Sequence, residues 1–282
     1  MGLPMALNLL AQHPALVVIT ARSQERAAVA IDAGARWVET PREIAEQCGI
    51  VVLMVPDLPQ IESLLFDTDG IADATGEVIV VVCSSVSPVG IRTTEAKLRK
   101  LTNGRMRLVD APVSGGTEGA QAATLSIMVG GEDNAVAAVL PILQIFGTAV
   151  HLGPLGSGDI AKACNQLVVA ATMAAISEAS VIAERSGLNL ESFLTLLQQG
   201  YAGSRVLETK KQRLIDREYT PTGVARYMVK DLGFAAVAAV GTATSTPVLD
   251  VLRTSFDGLV NAGLGDLDLA VLHRYVESCL RN

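Results

Sequence analysis

Two polar side chains on a long apolar segment, Lys162 and Asn165, have the types and the spacing for proton transfer. They lie three residues apart in the segment GSGDIAKACNQ, residues 156–166, and that spacing places them on one face of a helix. Few other charges lie nearby, so the pattern predicts an ammonium group withdrawn from water, and burial lowers the pKa of a lysine toward neutrality. Such a group can give a proton to a substrate oxygen that the Asn165 amide holds. The alternative is a solvated charge on a helix surface.

A glycine-rich turn ends a second segment, DAPVSGG, residues 110–116. Ser114, Gly115 and Gly116 offer successive backbone N–H groups and one hydroxyl, and no large side chain stands in the way. The turn therefore predicts a binding site for a carboxylate, with an ordinary tight turn as the alternative.

These residues need elements to position them, and the first half of the chain alternates strand-like and helical segments. The strand candidates are short, rich in Val and Ile and nearly all apolar, as expected for a parallel sheet covered on both faces. They are Leu16–Thr20, Ile50–Val55, Val78–Cys83, Arg107–Val109, Thr124–Val129 and Ala149–Leu152. Helical patterns lie at Ser23–Ala33, Pro41–Gln47, Gln60–Phe66 and Val89–Leu101. This alternation is typical of a doubly wound α/β domain.

The second half of the chain reads as helical throughout. Its helical patterns are Ala161–Ser186, Leu190–Gln199, Ser204–Arg217, Ala225–Val240, Val248–Ala262 and Leu267–Leu280. We therefore predict two domains, an α/β dinucleotide-binding domain over residues 1–153 and an all-helical substrate domain over residues 154–282.

Turns after three strand candidates are further binding candidates, because open α/β sheets bind ligands at the carboxyl ends of their strands. Arg22 and Ser23 can supply a guanidinium group and a hydroxyl to a phosphate. The other candidates in these turns are Pro56, Asp57 and Ser85. Plain turn chemistry is the alternative for Pro56, Asp57 and Ser85.

Composition excludes several classes of protein. Of the 282 residues 50% are hydrophobic, and the formal net charge is -7 with no basic stripe, which argues against a nucleic-acid partner. The four cysteines form no close pair, so we expect no metal site and no disulfide framework, but buried free thiols in a reducing cytoplasm. No signal peptide begins the chain, and the longest apolar stretch, Leu167–Ile182, is too short to span a bilayer comfortably. We expect a soluble, cytoplasmic protein.

Taken in order, these segments resemble the β-hydroxyacid dehydrogenase family, the group that contains 3-hydroxyisobutyrate dehydrogenase and 2-hydroxy-3-oxopropionate reductase. The resemblance covers nearly the whole chain. It rests on MGLPMA (1–6), MVPDLP (54–59), SSVSP (84–88), DAPVSGG (110–116), GSGDIAKACNQ (156–166), YAGS (201–204) and KDLG (230–233). The related 6-phosphogluconate dehydrogenases need a longer helical domain, and imine reductases of similar architecture lack the lysine.

The resemblance implies an oxidoreductase that uses NADP or NAD to interconvert a small β-hydroxy acid and its semialdehyde. Lys162 and Asn165 would be catalytic, and Ser114, Gly115, Gly116 and Asn165 would bind the substrate. The cofactor would contact Gly2, Pro4, Met5, Arg22, Ser23, Pro56, Asp57, Ser85 and Lys230. Arg22 and Ser23, with no acidic residue beside them, favour NADP over NAD. A homodimer or homotetramer is expected.

One departure from the family pattern lies at the start of the chain, where the first Rossmann strand and the first two glycines of the fingerprint are missing. That strand is central in the fold, and buried backbone groups left without partners cost ~1–3 kcal/mol each. We therefore expect the natural protein to begin roughly ten residues earlier, by analogy with the fingerprint. The alternative is a truncated, non-catalytic ligand-binding homologue, against which the intact Lys162, Asn165 and Ser-Gly-Gly turn argue.

Overall fold

The computed structural model describes residues 1–13 and 16–279, and the chain divides into two compact units, Met1–Lys162 and Ala163–Asn282. The first unit contains all the strands of the described residues, and the second is helical. The predicted fold class, a Rossmann-like α/β domain followed by an all-helical domain, is confirmed. The division between the units falls between Lys162 and Ala163, inside a long helix. The predicted domain boundary between residues 153 and 154 stays a prediction.

The strands of the first unit form one small and one large sheet. They are β1 (Val18–Ile19), β2 (Arg36–Trp37), β3 (Ile50–Leu53), β4 (Val78–Val82), β5 (Met106–Asp110), β6 (Val113–Ser114), β7 (Leu125–Gly130) and β8 (Gly147–Gly153). The large sheet has the order β3-β4-β5-β7-β6, and β8 pairs with β7. Its centre is apolar on both faces, since Val80, Val81 and Val82 are fully buried.

Only part of the large sheet is parallel, which corrects the predicted parallel sheet. The pairs β3-β4, β4-β5 and β7-β8 are parallel, whereas β7 runs antiparallel to both β5 and β6. The reversal follows from short connections, because β6 begins only two residues after β5 and the helix that follows it is short. Parallel neighbours would need a longer crossover.

The strand pairing of the first unit is interrupted between β1 and β3. Among the described residues β1 pairs with β2 alone, and β3 pairs with β4 alone. In a Rossmann sheet the first strand lies between the strands that correspond to β1 and β3. The dinucleotide sheet is thus divided into a two-stranded and a six-stranded part.

Seven helices of the described chain surround these sheets or connect their strands. They are α1 (Gly2–Gln12), α2 (Gln24–Asp32), α3 (Pro41–Gln47), α4 (Leu58–Phe66), α5 (Pro88–Thr102), α6 (Gly116–Gln121) and α7 (Asp133–Leu143). Local signals set several of their starts. Thr40 and Glu43 form a capping box at α3, and Ser87 accepts a hydrogen bond from Gly90 N–H at the start of α5, as N-cap residues do.

The second unit is built of helices around its own apolar core. The long helix α8 (Ser157–Arg185) leads into it, followed by α9 (Leu190–Gln199), α10 (Arg205–Asp216), α11 (Tyr227–Gly241), α12 (Pro247–Asn261) and α13 (Leu272–Ser278). The core includes the fully buried Met173, Leu194 and Phe256. The single helix predicted at Leu267–Leu280 is a 3-10 turn, Leu269–Val271, before α13, and Leu280 lies outside the described residues.

Two sequence expectations need correction. Cys164 and Cys279 are exposed and Cys48 is partly so, and only Cys83 is a buried free thiol. Helix α8 is also longer than the apolar stretch that was expected, and by length and composition alone it could cross a membrane. Its side chains Ala170, Met173 and Ile176 nevertheless belong to the helical core, as in the core helix of a globular domain.

Candidate active site

The first turn of α8, which leads to Lys162, is fixed by a buried carboxylate from the sheet. Asp110 is the last residue of β5 and is fully buried. Its two carboxylate oxygens accept hydrogen bonds from Gly156 N–H at 2.7 Å and from Asp159 N–H at 2.8 Å. Burial raises the pKa of Asp110, and these backbone donors oppose the rise.

A second carboxylate connects the same turn to the loop that follows β4. Asp159 is 2% exposed, and its Oδ1 accepts a hydrogen bond of 3.0 Å from Val86 N–H. Val86 follows Ser85, so the predicted Ser-Ser-Val-Ser-Pro turn and the lysine-bearing helix are hydrogen-bonded to each other.

The segment before α8 is held by Arg92 of α5. The Arg92 Nε donates to the Leu155 carbonyl at 2.8 Å, and a Cβ on Gly156 would lie 2.9 Å from Arg92 Nη2. Gly156 has φ of 89°, a conformation that glycine adopts without strain. The backbone conformation thus favours glycine at the first position of the Gly-x-Gly signature, while the close atoms belong to the flexible end of the Arg92 side chain.

Lys162 lies in the second turn of α8 and is 8% exposed, as the apolar surroundings predicted. Asn165, on the same helix, is partly buried, and its amide nitrogen donates to Gln166 Oε1 at 3.0 Å. The Gln166 amide nitrogen in turn donates to Asp231 Oδ2 at 3.0 Å. In the helical unit, Asp231 on α11 therefore fixes Gln166, and Gln166 orients the Asn165 side chain.

The Ser-Gly-Gly turn joins β6 to α6. Ser114 pairs with Ser126 of β7, while Gly115 and Gly116 are exposed and have φ of 137° and 65°. Both angles lie where L side chains are strained. The turn is therefore exposed and glycine-dependent, and its role as a carboxylate site stays a prediction.

The turns after β3 and β4 are joined by Ser84, which the sequence analysis did not single out. Its hydroxyl accepts a hydrogen bond of 3.2 Å from Val55 N–H and donates to the Val55 carbonyl. Pro56 is exposed beside this contact. Asp57 is the N-cap of α4 and accepts from Gln60 N–H at 3.1 Å, which gives this aspartate a structural role whatever else it binds.

The remaining cofactor candidates lie in three places. Arg22 is exposed after β1, and Ser23 is the N-cap of α2 with no side-chain cap bond. Gly2 begins α1, where a Cβ would lie 3.5 Å from Met54 Cβ, an ordinary contact that does not demand glycine. Pro4 is partly buried, and Met5 is buried in the core of the first unit. Lys230, in the helical unit, has its ammonium group 5.7 Å from the Tyr227 ring centre, within cation–π range.

Sequence reasoning missed the positioning role of three aspartates, Asp110, Asp159 and Asp231. The sequence did contain an indication of this role, because each of these aspartates lies within or beside an apolar element. A carboxylate buried there needs hydrogen-bond or ionic partners. Among the described residues no group of three or more His, Cys, Asp or Glu side chains could hold a metal ion.

Comparison with known proteins now places the chain. Residues 1–153 match the NAD-binding domain of 6-phosphogluconate dehydrogenase, and residues 156–276 match the NAD-binding family of NADP-dependent 3-hydroxyisobutyrate dehydrogenase. A 2-hydroxy-3-oxopropionate reductase of Escherichia coli is 35% identical over 98% of this chain and 94% of its own length. The chain belongs to the β-hydroxyacid dehydrogenase family.

Other members of the β-hydroxyacid dehydrogenase family agree with this placement. The 3-hydroxyisobutyrate dehydrogenase of Pseudomonas aeruginosa is 32% identical over 91% of this chain and 88% of its own length. A solved structure of the Mycobacterium tuberculosis 3-hydroxyisobutyrate dehydrogenase with L-serine superimposes with a TM-score of 0.83. It shares 26% identity and covers 99% of this chain and 96% of that one. The resemblance inferred from the motifs is confirmed, and the protein is an NAD(P)-dependent hydroxyacid dehydrogenase.

The residues of this β-hydroxyacid dehydrogenase fit a dinucleotide at the sheet edge. The first turn of α1 contains no acidic residue and no side-chain cap among the described residues, so its backbone N–H groups suit a phosphate. The exposed Arg22 after β1 adds a guanidinium group, which suits a phosphate as well.

Proposed function

We propose that this enzyme interconverts a small β-hydroxy acid and its semialdehyde, with Lys162 as the proton donor for reduction. One observation carries the proposal. Lys162 is a buried lysine on a helix whose first turn is hydrogen-bonded to the carboxyl end of β5 and to the loop that follows the carboxyl end of β4. Those carboxyl ends are where open α/β sheets bind their ligands.

NADP or NAD would be held by Gly2, Pro4 and Met5 at the start of α1, by Arg22 and Ser23 after β1, and by the turns of Pro56, Asp57 and Ser85. Lys230 is the remaining cofactor candidate. When bound, the nicotinamide supplies the hydride for reduction and accepts it in oxidation. Arg22, exposed and with no acidic side chain following β1 in its turn, supports a preference for NADP.

The chain's own chemistry is the transfer of a proton and the placement of the substrate. Reduction of an aldehyde leaves an alkoxide oxygen, and the Lys162 ammonium group gives it a proton; in oxidation the neutral amine takes that proton back. The Asn165 amide holds the same oxygen. Ser114, Gly115 and Gly116 bind the carboxylate through the hydroxyl and the backbone N–H groups, which sets the distance between the acid group and the reacting carbon.

The relatives narrow the substrate class. Their names specify 2-hydroxy-3-oxopropionate and 3-hydroxyisobutyrate, acids of three and four carbons. We therefore propose that tartronate semialdehyde and methylmalonate semialdehyde are the first substrates to test, followed by succinic semialdehyde and longer hydroxy acids. No observation favours the non-catalytic alternative.

We further propose a cytoplasmic enzyme that works as a homodimer or homotetramer, with no nucleic-acid or membrane partner. Large apolar side chains are exposed on three helices of the second unit, which supports self-association. They are Val168 and Ile182 on α8, Val237 and Val240 on α11, and Val248 and Val251 on α12.

The test is a panel of semialdehydes and β-hydroxy acids, assayed at 340 nm with NADPH and with NADH. Turnover of a three- or four-carbon compound is expected, together with measurable binding of NADPH by fluorescence. A chain that binds the cofactor but turns over nothing in the panel would favour the non-catalytic alternative.

A further inference from the structure

We infer that Asp110 is a positioning residue for Lys162, because its carboxylate caps helix α8 from strand β5 and so fixes where the lysine lies. The inference rests on the proposed role of Lys162. Asp110 would then support the reaction without touching the substrate, because it acts through helix α8.

Helix α8 has no cap of its own. Its first residue is Ser157, so the cap position is occupied by Gly156, which has no side chain. An N-cap side chain normally accepts hydrogen bonds from the second and third helical residues. Here the Asp110 carboxylate, from a residue 49 positions earlier, accepts from Asp159 N–H in the third position at 2.8 Å. It also accepts from Gly156 N–H at 2.7 Å.

Two glycines beside this contact leave no room for a side chain. A Cβ on Gly130 of β7 would lie 2.4 Å from Asp110 Oδ1, and a Cβ on Gly158 would lie 2.9 Å from Asp110 Oδ2. The Gly158 Cβ would also lie 2.2 Å from the Met128 carbonyl oxygen. The start of α8 therefore lies against the ends of β5 and β7, and neither glycine can take a larger side chain without a clash.

This fixed turn determines the position of the lysine. Lys162 lies four residues after Gly158 and three after Asp159, so it shares their face of the helix. Side chains on a helix lean toward its N-terminus, which directs Lys162 back toward the capped turn. A shift of that turn moves the ammonium group with it. Misplacement of a reacting group by about 1 Å can lower a rate roughly 10²-fold.

The asparagine variant at position 110 separates positioning from simple packing. Asp110→Asn keeps the size of the side chain but replaces one acceptor oxygen by an NH₂ group, which cannot accept from the backbone donors of Gly156 or Asp159. Burial already disfavours the ionised form of Asp110 and raises its pKa. Burial of a carboxylate therefore costs free energy that packing alone would not require. The two carboxylate oxygens instead suit a role in which both accept hydrogen bonds from one helix end.

The experiment is a double-mutant cycle on the purified enzyme, with Asp110→Asn, Lys162→Ala and the double variant. We expect Asp110→Asn to lower kcat roughly 10²-fold, with the Kd of NADPH unchanged within about twofold. In the Lys162→Ala background the same substitution should change kcat by less than about twofold, since residues that act as a unit are non-additive. If the double variant lost kcat by the product of the two single losses, the inference would be overturned. A wild-type kcat in Asp110→Asn would overturn it as well.

A matched control tests whether any buried carboxylate that is hydrogen-bonded to β5 has this effect. Glu95 of α5 accepts a hydrogen bond of 2.7 Å from Leu108 N–H, on the same strand as Asp110. Glu95→Gln should keep the wild-type kcat. A loss equal to that of Asp110→Asn would contradict a specific role for Asp110.

A second variant keeps the inference testable if Asp110→Asn does not fold. Asp159→Ala removes the other hydrogen bond that holds the same turn, the one from Val86 N–H. Its effect on kcat should show the same non-additivity with Lys162→Ala. Additive losses for Asp159→Ala would then overturn the inference. A wild-type enzyme without turnover, or a Lys162→Ala variant with wild-type kcat, contradicts the proposed function and this inference with it. An active enzyme that needs Lys162 but not Asp110 contradicts this inference alone.

Discussion

The Asp159 carboxylate accepts a hydrogen bond of 3.0 Å from the backbone N–H of Val86, and both residues are buried. This bond joins two segments that the sequence separates by 73 positions. One segment follows β4 and contains the cofactor candidate Ser85, and the other carries Lys162. A reductase needs its proton donor at a fixed distance from its hydride donor, and a direct bond between the two segments supplies that constraint within the first unit.

Replacement of Lys162 tests the catalytic assignment. Lys162→Ala should lower kcat by about 10²–10⁴-fold, the range for loss of a general acid or base, and should leave the Kd of NADPH nearly unchanged. Lys162→Arg should be similarly inactive, since a guanidinium group does not give up its proton at neutral pH. The measurements are steady-state rates at 340 nm and a fluorescence titration.

The control for this variant is Lys100→Ala, which removes an exposed lysine from the last turn of α5 and should keep the wild-type kcat. A Lys162→Ala enzyme that retained a tenth of the wild-type kcat would contradict the assignment of Lys162 as proton donor.

The elements with strong local signals were predictable from the sequence. Helices α3 and α9 have the predicted bounds, because Thr40 with Glu43 and Asn189 provide caps beside clear helical patterns. Strands β3 and β4 were found as well, since each is an apolar run rich in Val and Ile.

Features set by distant contacts could not be read in this way. Strand β2 has two residues and therefore no period to detect. Helix α8 was predicted from Ala161 but begins at Ser157, because its cap comes from Asp110 on another element. The motif residues at the site were recognised by type, whereas the aspartates that hold them depend on pairing in three dimensions.

Cofactor preference depends on Arg22. If its guanidinium group binds a ribose 2′-phosphate, Arg22→Ala should raise the Kd of NADPH by roughly 10–100-fold, the equivalent of about 1.5–3 kcal/mol for hydrogen bonds to a charged group. The Kd of NADH should not change. Arg253→Ala, which removes an exposed arginine from α12, is the control. Equal losses for both cofactors would show that Arg22 does not read the phosphate.

Thiol reactivity follows from the burial of the cysteines. Burial raises the pKa of Cys83 to about 12, so almost no thiolate forms at pH 8 and a thiol reagent finds neither charge nor access. Cys164 and Cys279 are exposed and should react first. Mass spectrometry after brief alkylation of the native enzyme, with the denatured chain as reference, measures the order. Early labelling of Cys83 would contradict the packing around β4.

Self-association is tested through α8. Val168 and Ile182 are 64% and 66% exposed, and charges at these positions would be costly in an apolar contact. A Val168→Asp and Ile182→Asp double variant should run at the monomer mass of 29.5 kDa in light scattering, while the wild type runs at a multiple. Val29→Asp, on the exposed face of α2, is the control. A monomeric wild type at micromolar concentration would contradict the proposed oligomer.

The helical unit has its own buried ion pair, and its stability should depend on pH accordingly. Asp268 is fully buried and lies 2.9 Å from the Lys210 ammonium group. Burial acts to raise the pKa of Asp268, but Lys210, Ala270 N–H and Thr222 outweigh it and hold the pKa below its usual value. The stabilisation is therefore complete above the unfolded pKa of about 3.9 and is lost as the pH falls through the folded pKa.

The variant Asp268→Asn should lower the free energy of unfolding by about 3 kcal/mol at pH 7, near the lower end for a broken buried pair, because Lys210 remains 16% exposed. Urea unfolding followed by circular dichroism should give a constant gap between about pH 5 and pH 8, and a narrowing gap below about pH 4, where the wild-type carboxylate also becomes protonated. Asp257→Asn, on the exposed face of α12, should change stability by less than about 0.5 kcal/mol. A gap that widened as the pH fell would mean that the pKa of Asp268 is raised in the folded protein, and the ion pair with Lys210 would then not stabilise the fold.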